Sequence, residues 1–458
     1  MSVRNSRAMT GVLIVFLASC VYGFLLDTIS DPCSYSSNEI ACRGRGLTSI
    51  PLFNLTRYTD VCLKFITLSD NKLTSIGNDS FTQLRSVNCS YTILFSDNNI
   101  SQIDEYAFRG IEAHIEGLYL QRNSLHSLPE AISSSINLNM LFIDGNPIVS
   151  LNPSIMAKIG HSVTQFSVDM SLFQKWPTEL HFLHELTHLS LYNIPFQYLD
   201  SSAFRGLTNV QFLYIMGSNF IKIPNAICTL SSLNSLQIDN NYFLNESKSD
   251  VFEPCSHTTS LPNVISFSYS NNRADFFPNI LTIFPSVKYI GMSNNGMRFM
   301  NADQFMDNFS VVRFGLHYEK FSQIPSSLNT FKSLEKLLLQ NNLIEFIEDD
   351  DFIGLRNLTI INLDYNPIQY ITNRAFQNNT QLTEVTLSHT LLTTIPTTVT
   401  MIPALQTLRL EANGIECTCE LASLKIWNVS SIRIEGQCYQ TNERIDQFIK
   451  TYISAGRC

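Results

Sequence analysis

Residues 405–415 read LQTLRLEANGI and residues 63–73 read LKFITLSDNKL. Both fit one template, with apolar residues at the first, fourth, sixth and eleventh positions and Asn at the ninth. One copy means little, because leucine is common. Fifteen copies in register decide the fold. Their ninth positions are Asn71, Asn98, Asn123, Asn146, Ser171, Ile194, Ser218, Asn241, Asn272, Asn295, Glu319, Asn342, Asn366, Thr390 and Asn413. Most follow one another at 23 to 25 residues; the step from Asn71 to Asn98 is 27 and that from Asn241 to Asn272 is 31.

A repeat of this length makes a short strand, turns, and returns along the opposite face, and it cannot bury its apolar side alone. Stacking brings the fourth and sixth residues of each strand into one core and leaves the third, fifth and seventh facing out. The ninth-position Asn is expected to turn inward and satisfy backbone groups of the adjoining turns. Ser171 and Ser218 can do this in part and Ile194 cannot, so a local change of curvature or turn geometry is expected there. Pro follows an apolar residue at Pro129, Pro177, Pro224, Pro278, Pro325 and Pro396, while intervening repeats carry Phe204, Phe305, Phe352 or Phe376, with Met156 and Phe252 as looser versions. This alternation reads as duplication of a two-repeat unit, with extended Pro-starting segments between Phe-filled ones.

The pattern resembles the extracellular leucine-rich-repeat family over about residues 61–415. The resemblance implies a leucine-rich-repeat solenoid: a right-handed β/α-type superhelix, a horseshoe with a parallel β-sheet on its concave face and a mostly irregular or 3-10 convex side. Residues 24–60 then form an N-terminal cysteine cap region and residues 416–458 a C-terminal cysteine cap. Cys417, Cys419, Trp427, Cys438 and Cys458 resemble the family's C-terminal cap, and precedent implies Cys417–Cys438 and Cys419–Cys458. The N-terminal cap usually has four clustered cysteines. Here Cys33 and Cys42 stand as a reduced form, read as Cys33–Cys42. Cys62 and Cys89 each precede the first position of consecutive repeats, close enough for a Cys62–Cys89 bridge. Cys228 and Cys255 flank the long repeat and would staple it as Cys228–Cys255.

Composition bounds the compartment and the partners. Of 458 residues, 15% are charged and 44% apolar, with a net charge of −9. No basic block occurs, which argues against nucleic acid as a partner. Residues 1–23 read as a signal peptide: Arg4 and Arg7, an apolar stretch from Val12 to Ala18, then small residues. Left uncleaved, the apolar run would be long enough to anchor the chain; cleaved, it leaves no membrane span. Of 11 cysteines, Cys20 lies in this leader, leaving an even ten for an oxidising compartment. Glycosylation sequons fall at Asn54, Asn78, Asn88, Asn99, Asn245, Asn308, Asn357, Asn378 and Asn428. The expected location is secreted and extracellular.

Chemistry is sparse. His184-Glu185-Leu186-Thr187-His188 is a literal HExxH, whose zinc-binding form requires a helix. Here Leu186 and Leu189 are the first and fourth repeat positions, so the motif runs into a strand. Residues four apart in a strand lie about 13 Å from each other, too far to share a metal. No phosphate loop or nucleophile elbow is present. The expectation is no enzyme, no metal and no cofactor.

Binding is expected on the concave strands, whose outward side chains are rigidly spaced. One apolar patch is Leu94, Tyr119, Met140 and Phe142; a second is Tyr192, Phe212, Tyr214 and Met216, beside the lapse of the Asn series. Asp144 and Asp169 are a candidate for a cation or basic ligand, against the plainer reading of a solvated polar face. Arg313, His317 and Tyr318, near the off-pattern Glu319, form a further mixed cluster. Aromatic clusters of this kind mark protein interfaces; loops, glycans or a homodimer are the other ways to cover them. The reading is a secreted scaffold recognising an extracellular protein or glycan. The alternatives are a membrane-attached adhesion or receptor ectodomain, or the non-catalytic subunit of a secreted complex.

Overall fold

The computed structural model describes residues 32–56, 61–85, 89–241, 251–255, 260–274, 276–300, 310–427 and 429–458. Contacts divide the chain into two units, the first ending near Leu138 and the second comprising essentially Asn139 to Cys458.

The first unit opens with an antiparallel pair, Ser34–Tyr35 against Glu39–Ala41. Parallel strands Phe65–Thr67, Tyr91–Leu94 and Ile115–Tyr119 follow in repeat register, with Ile66 beside Ile40 and Ile93. In the second unit parallel strands run from Met140–Phe142 to Arg433–Glu435, each paired with the corresponding strand of the next repeat. Leu189, Leu213 and Leu236 lie side by side and are fully buried, as are Leu191, Ile215 and Ile238. The period-2 alternation therefore fills the core from the fourth and sixth positions.

The inward Asn side chains connect consecutive turns. Asn123 donates from Nδ2 to the carbonyls of Phe95 and Leu120, and its Oδ1 accepts from Ile100 N–H. Asn342 repeats the pattern on Leu316, Leu339 and Phe321. The residue before the ninth position has positive φ in fourteen of the fifteen repeats, from Asp70 at 57° to Ala412 at 53°. This left-handed residue reverses the chain so that the next side chain points into the core.

The fifth repeat departs from this arrangement. Ser171, expected to point inward, is exposed, and Met170 is buried beside it. The cause lies one repeat on. Ile194 is buried and cannot accept the bonds that Asn would take. The Phe173 N–H instead closes a turn onto the Met170 carbonyl, and the Ser171 N–H bonds the Asp169 carboxylate. Met170 accordingly lacks the positive φ.

Five of the six Pro positions also differ from expectation, while no helix starts at Pro278. Pro129, Pro177, Pro224 and Pro325 each start a five-residue 3-10 helix, and Pro396 a short α-helix, rather than an extended segment. Proline's fixed φ suits the residue that opens a helical turn, and its carbonyl closes the turn, as Ile132 N–H does on Pro129. In the alternate repeats Phe204, Phe352 and Phe376 fill the core; Met156 does so from the helix Pro153–Ile159, which Asn152 caps. Phe305 lies outside the described residues.

Five disulfides are present: Cys33–Cys42, Cys62–Cys89, Cys228–Cys255, Cys417–Cys438 and Cys419–Cys458. The C-terminal pairs tie the 3-10 segment Cys419–Ile426 and the final helical turns against the last strand, with Trp427 buried among them. No helix among the described residues is long and apolar enough to cross a membrane.

Candidate functional site: the exposed face of the sheet

The fold leaves the third, fifth and seventh positions of each strand on one exposed face. In the second unit they assemble a compact aromatic group. The His188 ring stacks on Phe212 with centroids 4.3 Å apart and planes 11° apart. Tyr192 meets Tyr214 edge to face at 5.6 Å, and the Tyr214 hydroxyl donates to the Met216 sulfur at 3.0 Å. Phe212 is 39% exposed, high for a phenylalanine in a regular strand. Burial lowers the pKa of His188, so its ring is neutral near pH 7 and packs as an aromatic. Burial, then the Asp239 charge, raises that of Tyr214.

The repeat positions place Tyr192, Phe212, Tyr214 and Met216 together, as the structure does. His188 belongs with them, although in the sequence it reads only as half of HExxH. The signal is in the register: His188 holds the third position directly beside Phe212. His184 lies in a turn and His188 opens the strand, so the motif is not helical. Among the described residues no three His, Cys, Asp or Glu side chains gather as a metal would need.

The first patch divides between the units. Leu94 and Tyr119 are register neighbours in the first, while Met140 and Phe142 stand on one strand of the second. The carboxylates are engaged locally. Asp144 accepts from the Ser167 hydroxyl, and Asp169 accepts from Ser171 N–H and Asn193 Nδ2 at 2.9 and 2.7 Å. Asp239 and Asp364 do likewise, taking the Ser270 and Ser388 N–H groups at 2.8 and 2.6 Å. A seventh-position Asp thus braces the next strand.

In the third cluster Arg313 is exposed and His317 Nδ1 lies 3.0 Å from the Ser293 hydroxyl. The His317 ring meets Tyr318, which is exposed with φ 58°. Glu319 faces away from this surface, buried in the slot that Asn fills elsewhere. Of the sequons, Asn54, Asn78, Asn99 and Asn357 are exposed and Asn378 half-buried, none on an outward strand position. Asn88, Asn245, Asn308 and Asn428 lie outside the described residues.

Family comparison agrees with the repeat geometry. Leucine rich repeat models match residues 316–368 and 356–415, and a BspA type leucine rich repeat region matches residues 55–171. The chain is a leucine-rich-repeat protein. A leucine-rich-repeat protein of Leptospira interrogans superposes with a TM-score of 0.55 at 19% identity, covering 86% of this chain and 94% of that one. The Toll–Spätzle complex of Drosophila gives 0.59 at 14% identity, covering 82% and 58%. These likenesses concern the fold. Toll-like receptor 7 of Mus musculus is 24% identical over 232 residues, 47% of this chain. The high affinity nerve growth factor receptor of Gallus gallus is 39% identical over 77 residues, 17% of this chain. The matched stretches span 20% and 10% of these relatives' lengths.

Proposed function

We propose that this leucine-rich-repeat protein is a secreted, non-catalytic recognition scaffold that binds an extracellular protein through the exposed face of its sheet, with a glycan as the other ligand class. The observation that carries the reading is the His188–Phe212 and Tyr192–Tyr214–Met216 group. Large aromatics on a strand face contribute little to the core but supply rigid, partly apolar contact area to a partner. The ten paired cysteines and the sequons support an extracellular location. None of the described sequons falls on an outward strand position, so a glycan at any of them leaves the aromatic group uncovered at its root.

The test compares proteins co-purifying from extracellular fluid with the wild-type chain and with Phe212→Ala/Tyr214→Ala. A partner retained by the first and lost by the second, at equal secretion and equal thermal stability, supports the reading. Identical retention by both would overturn it.

A second reading is a membrane-held receptor ectodomain, favoured by the names of the two curated relatives. N-terminal sequencing of the mature protein separates the two: a start near Phe24 supports release, and an intact leader supports an anchor.

A further inference from the structure

Two adjacent strands carry glycine at the same outward position. Gly291 pairs in register with Gly315. Neither has a positive φ, and a Cβ built on them would meet nothing closer than 3.8 Å and 3.6 Å respectively, an ordinary contact distance. The fold therefore does not require glycine at either place. Glycine in a strand interior costs about 0.5–1 kcal/mol relative to alanine, and it marks places where a ligand or another backbone comes close.

What borders the glycines is uneven. Along the third positions Tyr289, Arg313 and Lys336 stand side by side in register, with Tyr289 45% exposed and both cations exposed. Like charges facing each other on neighbouring strands destabilise a sheet. Neither cation is ion-paired with another described residue. Along the seventh positions lie Ser293 and His317, bonded to each other. Burial and then the Arg313 charge hold the His317 ring neutral. The result is a low floor, with Gly291 partly exposed and Gly315 buried, between an aromatic and cationic wall on one side and a neutral polar wall on the other, in a chain of net charge −9.

We propose that the surface bounded by Tyr289, Arg313 and Lys336 docks an acidic segment of the protein ligand, whose Asp or Glu side chains pair with Arg313 and Lys336 while its backbone lies over Gly291. The proposal rests on reading the sheet face as the ligand surface. A protein segment fits better than a sulfated glycan. The cationic wall is two residues wide, bounded by Tyr289 and Ile360, and the next charged residue in that row is Glu384. A long polyanion extending past Ile360 would meet Glu384, and one extending past Tyr289 would find only Ser266 and Ser235 and no further cation; a short acidic segment needs neither.

Peptides selected from a random displayed library on the wild-type chain provide the probe, measured afterwards as synthetic peptides by fluorescence anisotropy. The expected result is enrichment in clustered Asp and Glu, with salt-sensitive affinity that falls about tenfold or more on Arg313→Glu/Lys336→Glu. Gly291→Val, which fills the floor without touching the charges, should weaken the same peptides without lowering the melting temperature. If selected peptides lose binding on Phe212→Ala/Tyr214→Ala but ignore the charge reversal, the acidic-segment proposal is overturned and the sheet-face reading stands. If they ignore both pairs of substitutions, both are overturned. Binding of a heparin oligosaccharide through Arg313 and Lys336, with no acidic peptide selected, would overturn it in favour of a glycan.

Discussion

The Glu319 carboxylate accepts the backbone N–H of Met297 at 2.7 Å, in the slot where other repeats place Asn. Gly296 N–H donates at 2.6 Å and Asn295 N–H at 3.0 Å, so the group sits in a cage of donors. Burial nevertheless dominates and pushes its pKa from 4.5 to about 7. Arg273, Tyr318 and Lys320 line the same hollow, and His317 precedes it.

The sign of the resulting pH dependence follows from linkage. The folded chain holds the Glu319 proton more tightly than the unfolded chain. The associated stability is fully present below about 4.5 and is lost as pH rises through about 7. Asp239 and Asp364, also raised by burial, act in the same direction. Between about pH 4.5 and 7 Glu319 therefore lowers stability as pH rises, against the opposite slope of His188 and His317, and Glu319→Asn should make the melting temperature rise more, or fall less, over that range than in the wild type. A variant whose slope equals that of wild type would refute this role for Glu319.

The Asn series makes a paired prediction. Asn342→Ala leaves the Leu316 carbonyl and the Phe321 N–H without their side-chain partner, while the Leu339 carbonyl keeps the Asn366 Nδ2 donor, at a cost of about 2–3 kcal/mol. Ser171→Ala, at a formally equivalent position, should change stability by less than about 0.5 kcal/mol because the side chain is exposed. Urea unfolding followed by circular dichroism measures both, and equal losses would show that Ser171 belongs to the ladder.

The turn residue before each ninth position gives opposite signs at two sites. Ala412 is exposed with φ 53°, so Ala412→Gly relieves a left-handed conformation and should stabilise by up to about 1 kcal/mol. Met170 lacks the positive φ and is fully buried, so Met170→Gly should cost about 3 kcal/mol or more. Thermal midpoints of the two variants moving the same way would contradict this account of the turns.

Repeat spacing, core positions and cap cysteines were legible because each is written in residue type at a fixed interval. The turn geometry was less so. Asn, Asp and Gly at the eighth position announce a left-handed residue, but Arg122, Tyr318, Tyr365 and His389 adopt it as well, held there by the neighbouring repeats. The rebuilt turn at Met170 depends on an acceptor missing one repeat later at Ile194, a relation no single repeat displays. His188 was hidden by its motif, and the carboxylate bracing at Asp144 and Asp169 emerged only with the side-chain bonds.

Zinc provides the last test. In a helix, His184 and His188 would share one face, with Glu185 beside them as a base. Here His184 occupies a turn, and His188 opens a strand with its ring against Phe212 and its Nδ1 2.9 Å from the Thr187 hydroxyl. Binding a metal through both would require unstacking His188 and refolding a segment whose Leu186 and Leu189 are buried. Equilibrium dialysis should show no stoichiometric zinc, and added zinc should leave the melting temperature unchanged. Tight one-to-one binding abolished by His184→Ala/His188→Ala would overturn this view. His188→Ala should instead act as Phe212→Ala does, weakening the ligand without altering zinc content.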